Sequence, residues 1–194
     1  MILFYTYLLI NLITYLIIYS KKLIKLRHLY TTNMEEFQKY RELAAKNIKV
    51  ADHILNVTYS LVEDTKLLLG VAESILMALT NTMYSLVSYE RLFRRLPPYQ
   101  ENFESKYNMF RLKIVPRYNI NKSHILFIEK MRDIIKKHKE SPIEFVRKDK
   151  FVICSEGWKV EALSIRQLRE FIDKTKEFFD YVYKITSKHE TIFK

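Results

Sequence analysis

Apolar side chains recur at helical spacing along most of the chain, most regularly over Leu67–Leu96. One row in this stretch alternates steps of four and three residues, which is the pattern of an α-helix with a buried stripe. Because no charge lies between Glu73 and Glu90, we expect this helix to be covered on several sides. Interrupting Thr, Asn and Ser residues favour a central bundle helix over a membrane span. The row comprises Leu68, Ala72, Ile75, Leu79, Thr82, Leu86, Tyr89 and Phe93, widened by Leu69, Leu76 and Met83.

A second long helix is predicted immediately before this one, over Met34–Leu61. Asn33 and Glu36 have the spacing of a helix-capping pair at its start. The connection that follows is short, and Asp64 within it is the expected N-cap of the central helix. So short a connection makes the two helices an antiparallel hairpin. Pro97 and Pro98 are expected to end the central helix.

Further helices are predicted in the second half of the chain. A third helix over Gln100–Ile114 is expected to end at Pro116, and a fourth runs over His124–Lys139 behind Asn121 or Ser123 as its cap. A short helix is expected after the Ser141-Pro142-Ile143-Glu144 capping pattern. Ser164 with Gln167 opens a last helix, Ile165–Ser187. Its predicted buried row is Leu168, Phe171, Ile172, Thr175, Phe178, Phe179, Val182 and Ile185.

The pattern changes between the fourth and last helices. Phe151–Cys154 and Trp158–Ala162 are rich in residues that favour strands, and Gly157 lies in the turn between them. The sequence therefore predicts an all-α fold, an antiparallel bundle of about five helices with a small β-hairpin near residues 151–162.

The chain divides into a hydrophobic N-terminal segment, residues 1–33, and a single helical-bundle domain, residues 34–194. Ile2–Tyr19 carries no charge, and Lys21, Lys22, Lys25 and Arg27 follow it. This pattern is typical of a membrane anchor that leaves the domain in the cytoplasm. Two alternatives stay open: a packed helix of the domain, and a spurious extension ahead of a true start at Met34.

Composition excludes several classes of site. The 194 residues include only two Gly and one Cys, which disfavours phosphate-cradling loops and excludes an intrachain disulfide or a Cys-rich zinc site. No dinucleotide fingerprint, zincin motif or nucleophile elbow is present in the sequence. We therefore expect no cofactor and no metal, and the low cysteine content fits a cytoplasmic protein.

The net charge of +11 favours anionic partners, RNA above all. Basic residues concentrate at predicted helix ends and loops, where phosphate binding needs them, although they also complement helix dipoles there. Tyr and Phe are abundant, and exposed rings among them would stack on bases. The candidate nucleic-acid-binding residues are Arg91, Arg94, Arg95, Arg111, Lys113, Lys122, Lys136, Lys137, Arg147 and Lys148.

The hairpin of long helices, LAAKNIKVADHILNVTYSLVEDTKLLLGVAESILMALTNTMYSLV, resembles the HEPN superfamily in its rhythm. Members are helical bundle domains, often dimeric, and the active ones carry an Arg, then four to six intervening residues, then a His near the start of a late helix. Arg117 and His124 fit that spacing and location, and Arg132 and His138 fit the spacing. The resemblance implies a ribonuclease in which Arg117 stabilises a phosphate and His124 serves as the acid/base for attack by a ribose 2′-hydroxyl.

Together these observations predict a non-enzymatic or weakly enzymatic interaction module, self-associating or bound to a helical protein partner, that contacts RNA through its basic loops. The first alternative is a HEPN-like, metal-independent ribonuclease with Arg117 and His124 as catalytic residues. The second is a membrane-anchored bundle that binds another protein, which requires that residues 1–33 belong to the protein.

Overall fold

The structure, a computed structural model, describes residues 20–22, 36–147, 150–155 and 159–188. It is a helical bundle with a small antiparallel sheet, as the sequence predicts. Helix α1 covers residues 36–62, with a π-helical turn at Ile54–Thr58 and a last turn at Tyr59–Val62. The other elements are α2 (Leu67–Leu92), α3 (Phe103–Met109, continued by a π-helical turn Phe110–Ile114 and by Val115–Tyr118), α4 (Lys122–Glu140), β1 (Ile143–Arg147), β2 (Lys150–Ser155), β3 (Lys159–Ser164) and α5 (Ile165–Thr186).

Helix α2 is the centre of the bundle and contacts α1, α3, α4 and α5. Its predicted row is buried from Leu68 to Tyr89, and the following Phe93 is half-buried. By length and hydropathy α2 could cross a bilayer, but half of its apolar window is buried inside the molecule. Asp64 accepts a hydrogen bond from the amide of Lys66 at 2.9 Å, just ahead of the helix.

Two predicted helix ends are wrong. Helix α2 ends at Leu92 rather than Leu96, because the chain turns at Arg94, whose φ of 55° lies in the left-handed region. Helix α3 continues through Pro116 to Tyr118. The π-helical turn before Pro116 shifts the hydrogen-bonding pattern, so the proline begins a new α-helical turn, where its missing amide costs little.

The predicted short helix after Ser141 is also wrong, because Ile143–Arg147 forms strand β1. The Ser141 hydroxyl lies 2.8 Å from the carbonyl oxygens of both Ile143 and Cys154, so it joins β1 to β2 instead of capping a helix. Strand β1 pairs antiparallel with β2, and β2 with β3. The predicted hairpin is therefore present within a three-stranded sheet of order β1-β2-β3.

Helices α4 and α5 close the bundle and begin at the predicted caps. Asn121 accepts a hydrogen bond from the amide of Ser123 at 2.9 Å, and Ser164 accepts one from the amide of Gln167 at 3.4 Å. The predicted buried row of α5 lies in the core, except that Phe179 is half-buried. The predicted N-terminal segment Ile2–Tyr19, the Asn33 cap, the Gly157 turn and Lys148 lie outside the described residues.

Candidate functional site

A fully buried carboxylate, Glu90, lies in the last turn of α2 and has an exposed fraction of 0%. It occupies the next seven-residue step of the row Leu69, Leu76, Met83, which explains why its side chain points into the protein. An ionised carboxylate in such a place requires partners.

Three side chains supply those partners. Arg95 Nη1 donates to Glu90 Oε1 at 3.2 Å, and Arg117 Nη1 donates to Oε2. The Tyr118 hydroxyl donates to Oε1 at 2.6 Å. Burial raises the pKa of Tyr118, and the hydrogen bond to Glu90 raises it further, so this hydroxyl keeps its proton.

Both arginines are only partly enclosed by this network. The side chains of Arg95 and Arg117 remain 41% and 40% exposed, although the carboxylate they share has no exposed surface. A guanidinium has five donors, so each arginine keeps hydrogen-bonding capacity beyond its contact with Glu90. The buried carboxylate thus holds two cations at the surface in fixed positions.

Two further arginines lie where the chain leaves α2. Arg91 and Arg94 line a recess of about 330 Å³ together with Tyr99, and Leu96 and the two prolines complete its wall. The guanidinium of Arg91 lies 5.5 Å from the centroid of the Tyr99 ring. We call Arg91, Arg94, Arg95 and Arg117 the arginine cluster.

A buried lysine is linked to this cluster through Glu101. That carboxylate accepts a hydrogen bond from Arg91 and binds Lys106 Nζ at 2.8 Å. Lys106 Nζ also donates to the Tyr40 hydroxyl at 3.3 Å and lies 4.6 Å from the centroid of Tyr84. Burial lowers the pKa of Lys106, but its bonds to Glu101 and Tyr40 outweigh burial and raise it overall. The ammonium therefore stays charged inside the fold.

The remaining predicted nucleic-acid-binding residues lie on other elements. Arg111 and Lys113 are exposed on α3, and Lys122 is exposed at the start of α4. Lys137, near the end of α4, binds Asp133 at 2.6 Å and Glu161 at 3.7 Å. Lys136, one residue earlier, lies 4.0 Å from Glu140, and Arg147 is exposed on β1. The predicted set therefore covers several surfaces. Three of its ten members, Arg91, Arg94 and Arg95, belong to the arginine cluster, together with Arg117.

The two predicted catalytic residues have different partners. Arg117 binds Glu90, as described above. His124 is 9% exposed, and its ring centroid lies 5.1 Å from that of Phe178 on α5. Burial lowers the pKa of His124, and the nearby charge of Glu177 only partly opposes this, so the ring is neutral at pH 7.

A larger groove of about 540 Å³ lies along α4 but has a mixed charge. Three cations and three acids line it, so it offers no net attraction to a phosphate. Within the part of the chain that the structure describes, no group of three or more His, Cys, Asp or Glu side chains could hold a metal ion. The lining residues of the groove are Leu76, Glu129, Arg132, Asp133, Ile135, Lys136, Lys139 and Glu140.

Comparisons with protein-family models, with curated proteins and with solved structures give no match to this chain. The resemblance of the first two long helices to the HEPN superfamily therefore stays a prediction. Neither the organising role of Glu90 nor the link through Glu101 is predicted from the sequence. The signal for Glu90 is its place seven residues after Met83, in the row that widens the apolar face of α2.

Proposed function

We propose that this protein is an RNA-binding interaction module and that the arginine cluster is its phosphate-binding site. The observation that carries the proposal is the geometry around Glu90: two arginines converge on one carboxylate with no exposed surface while about two fifths of each arginine faces solvent. The proposed role of the protein is binding, without a catalysed reaction.

Fixed arginines bind phosphate better than mobile ones, because less side-chain freedom is lost when the complex forms. Glu90 restrains Arg95 and Arg117 before any ligand arrives. Each guanidinium can still donate to phosphate oxygens, and such charge-assisted hydrogen bonds are about twice as strong as neutral ones. The cluster holds four cations against the two carboxylates of Glu90 and Glu101, so it keeps an excess of positive charge.

Single-stranded RNA fits this site better than an isolated phosphate does. Tyr99 lies in the same recess as Arg91 and Arg94, so one surface offers both cations and an aromatic ring. Proteins that bind single strands combine cations along the backbone with rings that stack on bases. The net charge of +11 would add long-range attraction to the strand.

The test measures the affinity of the full chain for a fluorescent single-stranded RNA by anisotropy, at about 50 and 200 mM salt. Affinity should fall by about tenfold across this range if two or three phosphates are contacted. Arg94→Gln removes one exposed cation from the recess, and Lys49→Gln removes an exposed cation from α1 as the matched control.

We expect R94Q to weaken binding and to reduce the salt dependence by about one phosphate contact, and K49Q to change neither. Equal effects of the two substitutions would assign the binding to overall charge rather than to the cluster. Affinity that does not respond to salt would reject the proposal. Self-association of the module stays a separate prediction, which light scattering of the same samples measures.

A further inference from the structure

The strand register sorts the sheet residues onto two faces. Phe151, Ile153 and Leu163 point to the inner face, where they are buried in the hydrophobic core. The alternate residues form the other side, which we call the outer face. It consists of three cross-strand rows: Ile143, Cys154 and Val160; Phe145, Val152 and Ala162; and Arg147, Lys150 and Ser164.

The first two rows of the outer face are apolar, and three of their six side chains are exposed. Ile143 is 51% exposed, Phe145 42% and Val160 61%. Val152, at the centre of the face, is buried, but it is not part of the hydrophobic core on the inner side. Adjacent exposed apolar side chains of this kind mark an interaction surface rather than ordinary solvated sheet.

The charges on the sheet are divided between its faces. Arg147 and Lys150 are exposed in the third row of the outer face, directly beside the apolar rows. The acids of β1 and β3, Glu144 and Glu161, both pair with Ile153, so they lie on the inner face. There Glu144 binds His138 at 2.5 Å and Glu161 lies 3.7 Å from Lys137. The charged side chains that the structure describes on the outer face are therefore cations.

We propose that the outer face docks on an anionic lipid surface, with Ile143, Phe145 and Val160 inserted among the acyl chains and Arg147 and Lys150 at the headgroups. Apolar side chains bordered by cations are what an interfacial membrane site requires. A second copy of the chain fits less well. Two outer faces packed together would set Arg147 and Lys150 either against the same cations of the other copy or against its apolar first row. RNA fits less well because two of the three rows have no polar group to offer it. The site shares no residue with the arginine cluster or with the hydrophobic segment at residues 1–33.

The experiment compares sedimentation of the full chain with phosphatidylcholine vesicles and with vesicles that contain about 30% phosphatidylserine. The sheet has its own reporter, because the single tryptophan of the chain, Trp158, lies between β2 and β3 in sequence. Insertion of the outer face should shift Trp158 emission to shorter wavelength and allow quenching by lipids brominated on their acyl chains. Attachment through residues 1–33 alone would leave Trp158 unquenched.

Three variants test the assignment. Phe145→Ser with Val160→Ser should weaken binding to the anionic vesicles by about tenfold or more and abolish the quenching of Trp158. Arg147→Gln with Lys150→Gln should weaken binding by about fivefold for each charge removed. Leu61→Ser, at a position 80% exposed on α1, is the matched control and should have no effect. Circular dichroism and thermal unfolding verify that each variant is folded.

Several results would overturn the proposal. Unquenched Trp158 together with equal vesicle binding by all variants would assign membrane attachment to another part of the chain. Equal binding to neutral and anionic vesicles would remove the role of the cations. A change in molar mass of the F145S/V160S variant, with vesicle binding intact, would make a second copy of the chain the occupant of this face.

Discussion

Arg117 donates a hydrogen bond to the Oε2 atom of Glu90, so an exposed residue at the end of α3 is tied to a fully buried carboxylate at the end of α2. The bond joins two helix ends, and Arg95 and Tyr118 donate hydrogen bonds to the other carboxylate oxygen, Oε1. Its energetic consequence is asymmetric: the arginine can turn to solvent when the acid is lost, but the acid cannot reach solvent when the arginine is lost.

We therefore expect Arg117→Ala to lower the free energy of unfolding by about 2 kcal/mol, because it leaves the charge of Glu90 with fewer partners. The same substitution in a Glu90→Gln background should cost less than about 1 kcal/mol, because no buried charge remains. Urea unfolding of the four proteins in this double-mutant cycle gives the coupling energy directly. Additive effects of the two substitutions would contradict the role of the bond.

A second asymmetry concerns Lys106 and Glu101, whose side chains are 5% and 54% exposed. Glu101→Ala leaves a buried ammonium with Tyr40 and Tyr84 as its remaining partners, and we expect a loss of about 2 kcal/mol. Lys106→Met removes the buried charge and leaves an acid that water can solvate, so its cost should be about 1 kcal/mol or less. Urea unfolding tests this order, and a greater loss in K106M than in E101A would contradict it.

Because His124 is buried, we expect the free energy of unfolding to depend on pH. Burial lowers the pKa of the folded state below the ordinary 6.5, so the unfolded chain takes up a proton first as the pH falls. This residue has no effect on the pH dependence well above pH 6.5. Below that pH the free energy of unfolding should decrease, by at most about 1.4 kcal/mol for each pH unit, until the pH passes below the folded pKa.

The measurement is urea unfolding of the natural protein and of His124→Phe at pH 7.5, 6.5 and 5.5. The substitution keeps a ring against Phe178 and removes the titrating group. Taking the difference in free energy of unfolding between the two proteins removes the contribution of the other histidines. As the pH falls, H124F should become more stable relative to the natural protein. A constant difference would show that His124 titrates equally in the folded and unfolded chains.

Binding without cleavage is expected when RNA is incubated with this protein, because His124, the predicted acid/base, is buried against Phe178. Denaturing gels of a labelled single strand, run beside the anisotropy assay, measure this. H124F should bind RNA as the natural protein does. Cleavage that disappears in both Arg117→Ala and folded H124F would instead favour the ribonuclease alternative.

The helices of the bundle could be predicted because their buried rows are long and regular. Leu68 to Tyr89 on α2 and Leu168 to Ile185 on α5 repeat at three and four residues, and a helix is the local structure that places such a row on one face. The helix caps at Asn121 and Ser164 could be predicted as well, and at each a side-chain oxygen accepts a hydrogen bond from a nearby amide.

What the sequence could not reveal depends on contacts between distant residues. Ser141 has the spacing of a helix cap, but its hydroxyl lies beside Cys154 on β2, and β1 forms because β2 is there to pair with it. The convergence of Arg95 and Arg117 on Glu90 likewise requires the crossing of α2 and α3. Net charge and loop composition predicted the arginines as candidates, yet nothing local indicated which of them share a partner.

The π-helical turn Phe110–Ile114 makes the residue count of α3 matter, not only its composition. A π-helical turn holds one residue more than an α-helix needs over the same length. Deleting one residue there would let the segment close as a regular α-helix, and Arg117 and Tyr118 would keep facing Glu90. Inserting one residue would instead turn both side chains by about 100° away from it. This segment should therefore tolerate the loss of one residue better than the gain of one.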